Sequence, residues 1–129
     1  MKKLITAKLA GDLLLASLGL LLIFHLLVLL NFLPADMIWG GQANADNPAL
    51  EIIAIVVTMF FGWIVAAKTG YVKAGKFAGA LHVLVWIVFA FLLLNTLGNL
   101  ASGVFVENFI FAPITLILAL CALRLAVEK

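Results

Sequence analysis

The chain has 129 residues, of which 67% are hydrophobic and 11% charged, with eight Lys and Arg against six Asp and Glu. Soluble domains are nearer half apolar and a quarter charged, so this balance excludes a soluble enzyme, a disordered chain and a nucleic-acid module. The length suits one domain, and the single cysteine, Cys121, excludes an intramolecular disulfide, a CxxC redox pair and a cysteine zinc cluster. What remains is an integral membrane protein.

A hydrocarbon core about 30 Å thick takes about twenty apolar residues of helix, each rising about 1.5 Å. Four stretches meet that length, at about 12–32, 48–67, 77–97 and 108–126. In lipid each backbone N–H and C=O must be satisfied within its own segment, and the period-2 alternation of a barrel strand is absent. The predicted fold is all-α: one transmembrane domain over residues 1–129, an integral membrane four-helix bundle.

Lys2, Lys3 and Lys8 precede the first span, and Lys8 with Asp12 is spaced i, i+4 as a snorkelled surface pair. Gly11, Ala16, Ser17 and Gly19 place small residues at the same end. His25 falls past the middle of the span, about 4 to 5 Å toward its far side. The two leading lysines, an apolar run and Ala43-Asn44-Ala45 imitate a secretory leader. The run is too long for a leader's apolar region and the alanines lie well beyond its end, so no cleavage is expected.

The loop from Asn31 to Asn47 holds Leu33, Met37, Ile38 and Trp39, too apolar for a free aqueous loop. It reads either as an interfacial anchor through Trp39 or as a lid over an outward pocket lined by His25, Glu51, Asn95 and Glu107. Asp36 is placed to bond amides of the turn after Pro34.

Asn47 and Pro48 read as N-cap and first position of the second span, with Glu51 in its first turn and Gly70 as a left-handed terminator. Gly75 and Gly79 stand at GxxxG spacing near the start of the third span, where either an intrachain helix contact or a dimer seam would use them for packing. His82, Trp86 and Phe89 share one face of that span, and Asn95 and Asn99 share another near its end. The latter two, with Glu51, Glu107 and Asn108, form either a solvated rim with asparagine caps or the wall of a site. Pro113 lies too far into the fourth span to begin it, so kinked or loosened first turns are expected.

Lys68, Lys73 and Lys76 lie between spans two and three, and Arg124 and Lys129 close the chain. The other two loops carry Asp36, Asp46 and Glu107 and no Lys or Arg. The positive-inside rule then puts both termini in the cytoplasm, in a multi-pass protein of the cell membrane.

On this reading the two histidines differ in depth by about 12 Å, too much for ligands of one metal or one haem. No metal, cofactor or catalytic set is therefore expected. His25 is expected to bond across the bundle to a backbone carbonyl or to Asn95, or else to handle a proton.

Phe24-His25-Leu26 running into Asp36-Met37-Ile38-Trp39-Gly40-Gly41, Lys68-Thr69-Gly70-Tyr71, Asn95-Thr96-Leu97-Gly98-Asn99 and Leu123-Arg124-Leu125 together resemble a family of small uncharacterised bacterial four-span membrane proteins. The resemblance spans nearly the whole chain and implies a bacterial inner membrane and four spans, with no activity attached. Three function classes follow. The first is non-enzymatic binding of a lipid, small molecule or membrane partner at the outward helix ends, through His25, Asp36, Trp39, Glu51, Asn95, Asn99 and Glu107. The second is a small oligomeric transporter or channel. The third is an enzyme at the outer interface, with Asp36, Glu51 and Glu107 as its only carboxylates, which would bring His25 within hydrogen-bond reach of Glu51 or Glu107. Membrane lipid, a second copy or a membrane protein are the expected partners, and nucleic acid is not.

Overall fold

A computed structural model of the chain describes residues 4–32 and 48–128. All regular structure among them is helical: α1 (Ala7–Leu29), α2 (Pro48–Thr69), a 3₁₀ turn (Gly75–Phe77), α3 (Leu81–Ala101), a π-helical turn (Glu107–Phe111) and α4 (Ala112–Ala126). The π turn continues into α4, giving four apolar helices of 23, 22, 21 and 20 residues. At about 1.5 Å per residue each is about 30 Å or longer, enough to cross a bilayer. The molecule is a four-helix transmembrane bundle.

Two spans are displaced from their sequence-based limits. α1 begins at Ala7, not near residue 12, because the Thr6 hydroxyl accepts the Leu9 N–H at 3.1 Å and caps it. Its far end closes with Asn31 at a φ of 65°. The Asn31 N–H bonds Val28 O at 3.0 Å and the Phe32 N–H bonds Leu27 O at 2.8 Å, a Schellman pair. α3 begins at Leu81 after the 3₁₀ turn and runs through Ala101, four residues beyond the expected end near residue 97. Ser102 stops it in an extended conformation and turns its hydroxyl to the Val104 N–H at 3.0 Å, starting the next helical segment. Gly70 behaves as its position predicts. At a φ of 101° it ends α2, with Tyr71 N–H on Ala66 O at 2.9 Å.

Apolar residues at helical spacing fill the centre: Ala10, Leu14 and Leu18 from α1, Phe61, Ile64 and Val65 from α2, Val85, Val88 and Leu92 from α3. α4 is the most enclosed helix. Its buried side chains include Ala112, Ala119, Cys121, Ala122 and Ala126, small enough for neighbouring backbones to close on it. α1 packs on α2 and on α4, α3 packs on α4, and α2 and α3 make a smaller contact.

The glycines that serve packing are not the expected ones. Gly75 and Gly79 are exposed, and a Cβ on either would meet nothing within 4 Å, so neither forms a helix contact among the described residues. Gly11 does. A Cβ there would run into the Thr69 side chain, which is fixed by its own 2.6 Å bond to Val65 O.

The described basic residues gather at one end. Lys8 Nζ meets Asp12 at 3.0 Å and Tyr71 Oη at 2.6 Å, and Tyr71 in turn donates to Asp12. Arg124 is buried, donating to Ile5 O at 3.0 Å and pairing with Glu128 at 2.8 Å, and Lys68 bonds Glu128 O at 2.7 Å. Both chain ends are thereby tied to this lysine end, and Glu51 and Glu107 mark the opposite, acidic end.

The Gly11–Thr69 approach is directly testable. Gly11→Val is expected to lower the unfolding free energy in mixed micelles by about 1–3 kcal/mol through overpacking. Thr69→Ala in the same chain should recover most of that loss. Gly19→Val, where a Cβ meets nothing within 4 Å, should change it little. Equal losses at Gly11 and Gly19 would contradict the contact.

Candidate functional site at the acidic end

α1 and α2 run antiparallel, so the last turns of the first lie beside the first turn of the second. His25 and Glu51 meet there, with Nδ1 and Oε2 2.7 Å apart and side chains only 10% and 3% exposed. Two acceptors cannot approach so closely without a proton between them, so this contact holds one whichever group carries the charge. Glu51 is the fourth residue of α2, where the unpaired N–H groups of the helix start favour an acid. An apolar replacement of either partner would strand the other among buried apolar atoms.

Placement follows from the corrected helix limits. The midpoint of α1 is Leu18, which puts His25 about 10 Å toward the acidic end, deeper into that end than residue counting from the expected span suggested. His82 is the second residue of α3, about 13–14 Å from that helix's midpoint toward the lysine end. It is exposed, and its Nε2 accepts from Trp86 Nε1 at 3.3 Å on its own helix. The two imidazoles are therefore separated by about 24 Å in depth, twice the separation read from sequence.

The third acid comes from the π turn. Phe24, next to His25, meets the Phe111 ring edge-on at 5.8 Å between centroids, which sets this turn against α1. Glu107 opens the turn and is buried, and its carbonyl accepts the Ala112 N–H five residues on. Pro113 explains the widening. With no N–H to donate and a ring that crowds the preceding turn, it makes a regular α-helical approach costly, and the looser π turn relieves it. The expectation of loosened first turns at Pro113 is met in this form. Beside Glu107, the Asn108 Oδ1 is fully enclosed and accepts no hydrogen bond from the described residues.

The remaining expected residues divide. Asn99 is half-buried, with Nδ2 at 3.5 Å from Thr115 Oγ1, where Thr96 Oγ1 also lies at 3.0 Å. This is a separate polar contact between α3 and α4. Asn95 does not join it or the His25 site; it is exposed on the side of the bundle. Four residues along a helix turn by about 40° beyond a full circle, enough at the edge of a buried stripe to put one asparagine in and the other out. Asp36, Trp39 and the N-cap at Asn47 lie outside the described residues. His25 bonds neither Asn95 nor, through Nδ1, a backbone carbonyl; its Nδ1 partner is Glu51. Thr58, Thr96 and Thr115 were not singled out in the sequence. Each returns its hydroxyl to a carbonyl one turn back, as threonine does in apolar helices. The only signal for them was their polarity within apolar runs. Among the described residues no group of three His, Cys, Asp or Glu is placed to hold a metal ion. Compared with protein-family models, curated proteins and solved structures, the chain matches none of them.

A double-mutant cycle measures the central contact. His25→Leu, Glu51→Leu and the pair are expected to show a coupling of about 1–2 kcal/mol in unfolding free energy, at the upper end for polar contacts between membrane helices. Additivity within about 0.5 kcal/mol would show that the two side chains do not interact.

Proposed function

We propose that the chain is a non-enzymatic binding protein of the cell membrane, with both termini in the cytoplasm. Its acidic end faces outward and holds a lipid, small molecule or membrane partner between the helix ends. The observation that carries this reading is the 2.7 Å contact of His25 and Glu51, both buried between apolar helices. Polar groups inside a membrane bundle are costly and gather where a ligand, ion or partner is handled. A purely structural bundle of this length would be served as well by leucine at both positions.

The chemistry of the site selects the kind of ligand. Glu51 and Glu107 supply carboxylates, Asn108 Oδ1 is an enclosed acceptor without a donor among the described residues, and the sequence has no Lys or Arg in either loop of this end. An acceptor-rich, cation-free site favours a head group that donates hydrogen bonds, such as an amine or a polyol. The resemblance to small bacterial four-span proteins is consistent with this reading and adds no ligand to it.

One observation supports a second reading. A carboxylate bonded to Nδ1 is also the arrangement that orients a histidine as general base, so an enzyme at the outer interface fits the same contact. The two readings differ in what is released. A binder retains its ligand unchanged, whereas an enzyme converts it.

Purification in mild detergent followed by native mass spectrometry is the test. A stoichiometric amine- or hydroxyl-bearing lipid or small molecule should accompany the wild-type chain, and Glu51→Gln should reduce its retention about tenfold or more, as loss of a charge-assisted hydrogen bond does. Identical co-purifying material in wild type and variant would overturn the proposal. Recovery of a chemically altered ligand from the wild type alone would replace it with the enzymatic reading.

A further inference from the structure

From the turn between α2 and α3 we infer that the lysine end binds an anionic phospholipid. The turn, residues 70–80, carries Lys73 and Lys76 and no Asp or Glu. The other described basic residues already have partners: Lys8 meets Asp12, Arg124 meets Glu128, and Lys68 bonds the Glu128 carbonyl. Lys73 and Lys76 are exposed, and among the described residues neither meets an acid or a hydrogen-bond acceptor. Two ammonium groups three residues apart, each with three donors, thus stand uncompensated where the helices leave the membrane.

Beneath them an aromatic ladder descends along the bundle. The Lys76 ammonium lies over the Phe77 ring, 5.3 Å from its centroid. Phe77 meets Trp63 edge-on at 5.8 Å between centroids, and Trp63 stacks on Phe60 at 6.3 Å. Phe77 and Phe60 are each 49% exposed, so the ladder belongs to the lipid-facing surface and not to the core. α2 runs from Pro48 to Thr69, which puts Phe60 about 2 Å and Trp63 about 7 Å from its midpoint toward the lysine end. From Lys76 to Phe60 the ladder covers most of one leaflet, whose hydrocarbon is about 15 Å thick.

One anionic phospholipid matches both parts. Its phosphate accepts hydrogen bonds from Lys73 and Lys76 and neutralises their charge, while an acyl chain lies against Phe77, Trp63 and Phe60. A zwitterionic lipid fits less well, because the turn offers no carboxylate to its cationic group. A soluble phosphate reaches the lysines but gains nothing from rings that lie in hydrocarbon. The site shares no residue with His25 and Glu51 at the opposite end, so it stands or falls separately from the proposed ligand site.

Trp63 itself reports the lipid beside it. A chain carrying Trp39→Phe and Trp86→Phe keeps Trp63 as its one tryptophan, and bromine on a neighbouring acyl chain quenches its fluorescence. In vesicles of equal parts phosphatidylglycerol and phosphatidylcholine, brominating the first lipid should quench Trp63 more than brominating the second. The difference should correspond to a preference of about five- to thirtyfold, the range for one to two lysines at a membrane surface. Lys73→Gln with Lys76→Gln should bring the preference close to unity, and Lys73→Arg with Lys76→Arg, which keeps both charges, should retain it. Both side chains are exposed, so neither pair of changes should make the chain easier to unfold. Lys8→Gln, where the charge is already paired, and Glu51→Gln at the other end should leave the preference unchanged. Native mass spectrometry of the chain with all three tryptophans, taken from the same vesicles, should show phosphatidylglycerol retained over phosphatidylcholine, and should lose that bias with the two glutamines. Equal quenching by the two lipids together with equal retention, or a preference that survives Lys73→Gln with Lys76→Gln, would overturn the inference. So would a preference that Lys8→Gln reduces as much, since the attraction would then be diffuse.

Discussion

Hydrocarbon offers no hydrogen bonds, and nearly every feature of this chain follows from that. Backbone groups are satisfied by winding the apolar stretches into four helices long enough to reach water at both ends. Side chains have three outlets: return to their own helix, meet across the bundle, or gather at the ends. Thr58, Thr96 and Thr115 take the first, each bonding a carbonyl one turn back. His25 and Glu51 take the second. The described lysines, Asp12 and Glu128 take the third.

The two ends are built differently, and the difference has a physical basis. At the lysine end long side chains reach over the helix ends to tie neighbours together. Arg124 bonds the carbonyl of Ile5, and Lys68 that of Glu128, so residues far apart in sequence are fastened without a buried unpaired charge. At the acidic end the polar groups are short and lie inside the bundle. Glu51 sits at a helix start and Glu107 at a π turn, both buried. α1 and α2 are thus held at one end by close contact of Gly11 with Thr69 and at the other by a hydrogen bond. The first requires only shape. The second holds a proton inside an apolar bundle, which makes it the place to look for function.

Much of the fold was legible in the sequence because hydropathy and the lysine pattern report the same alternation of sides. Gly70 was legible as a terminator because few residues adopt its backbone conformation easily. The start of α3 was not, because Phe77 through Ala80 are as apolar as the helix that follows, and composition cannot distinguish a 3₁₀ turn from the first turn of a span. His25, Glu51 and Glu107 were legible as groups of one end, since depth follows from counting residues. Glu51 was legible as one alternative partner of His25, expected of an enzyme at the outer interface, but the choice of Glu51 over Asn95 was not, because it depends on how each helix is rotated about its axis. The same rotation separates Asn95 from Asn99, although both read as one face. Gly75 and Gly79 illustrate the converse: the spacing of a packing motif is present, but the segment enters no helix seam among the described residues.

The most direct measurement of the account is nitrogen magnetic resonance of the chain labelled at its two histidines, in micelles or bilayers. One imidazole should show an Nδ1 hydrogen bond protected from exchange with water, and that signature should vanish on Glu51→Leu while the His82 resonances stay in place. If both imidazoles exchange freely and neither responds to the change at Glu51, the buried contact does not exist and the acidic end has no site.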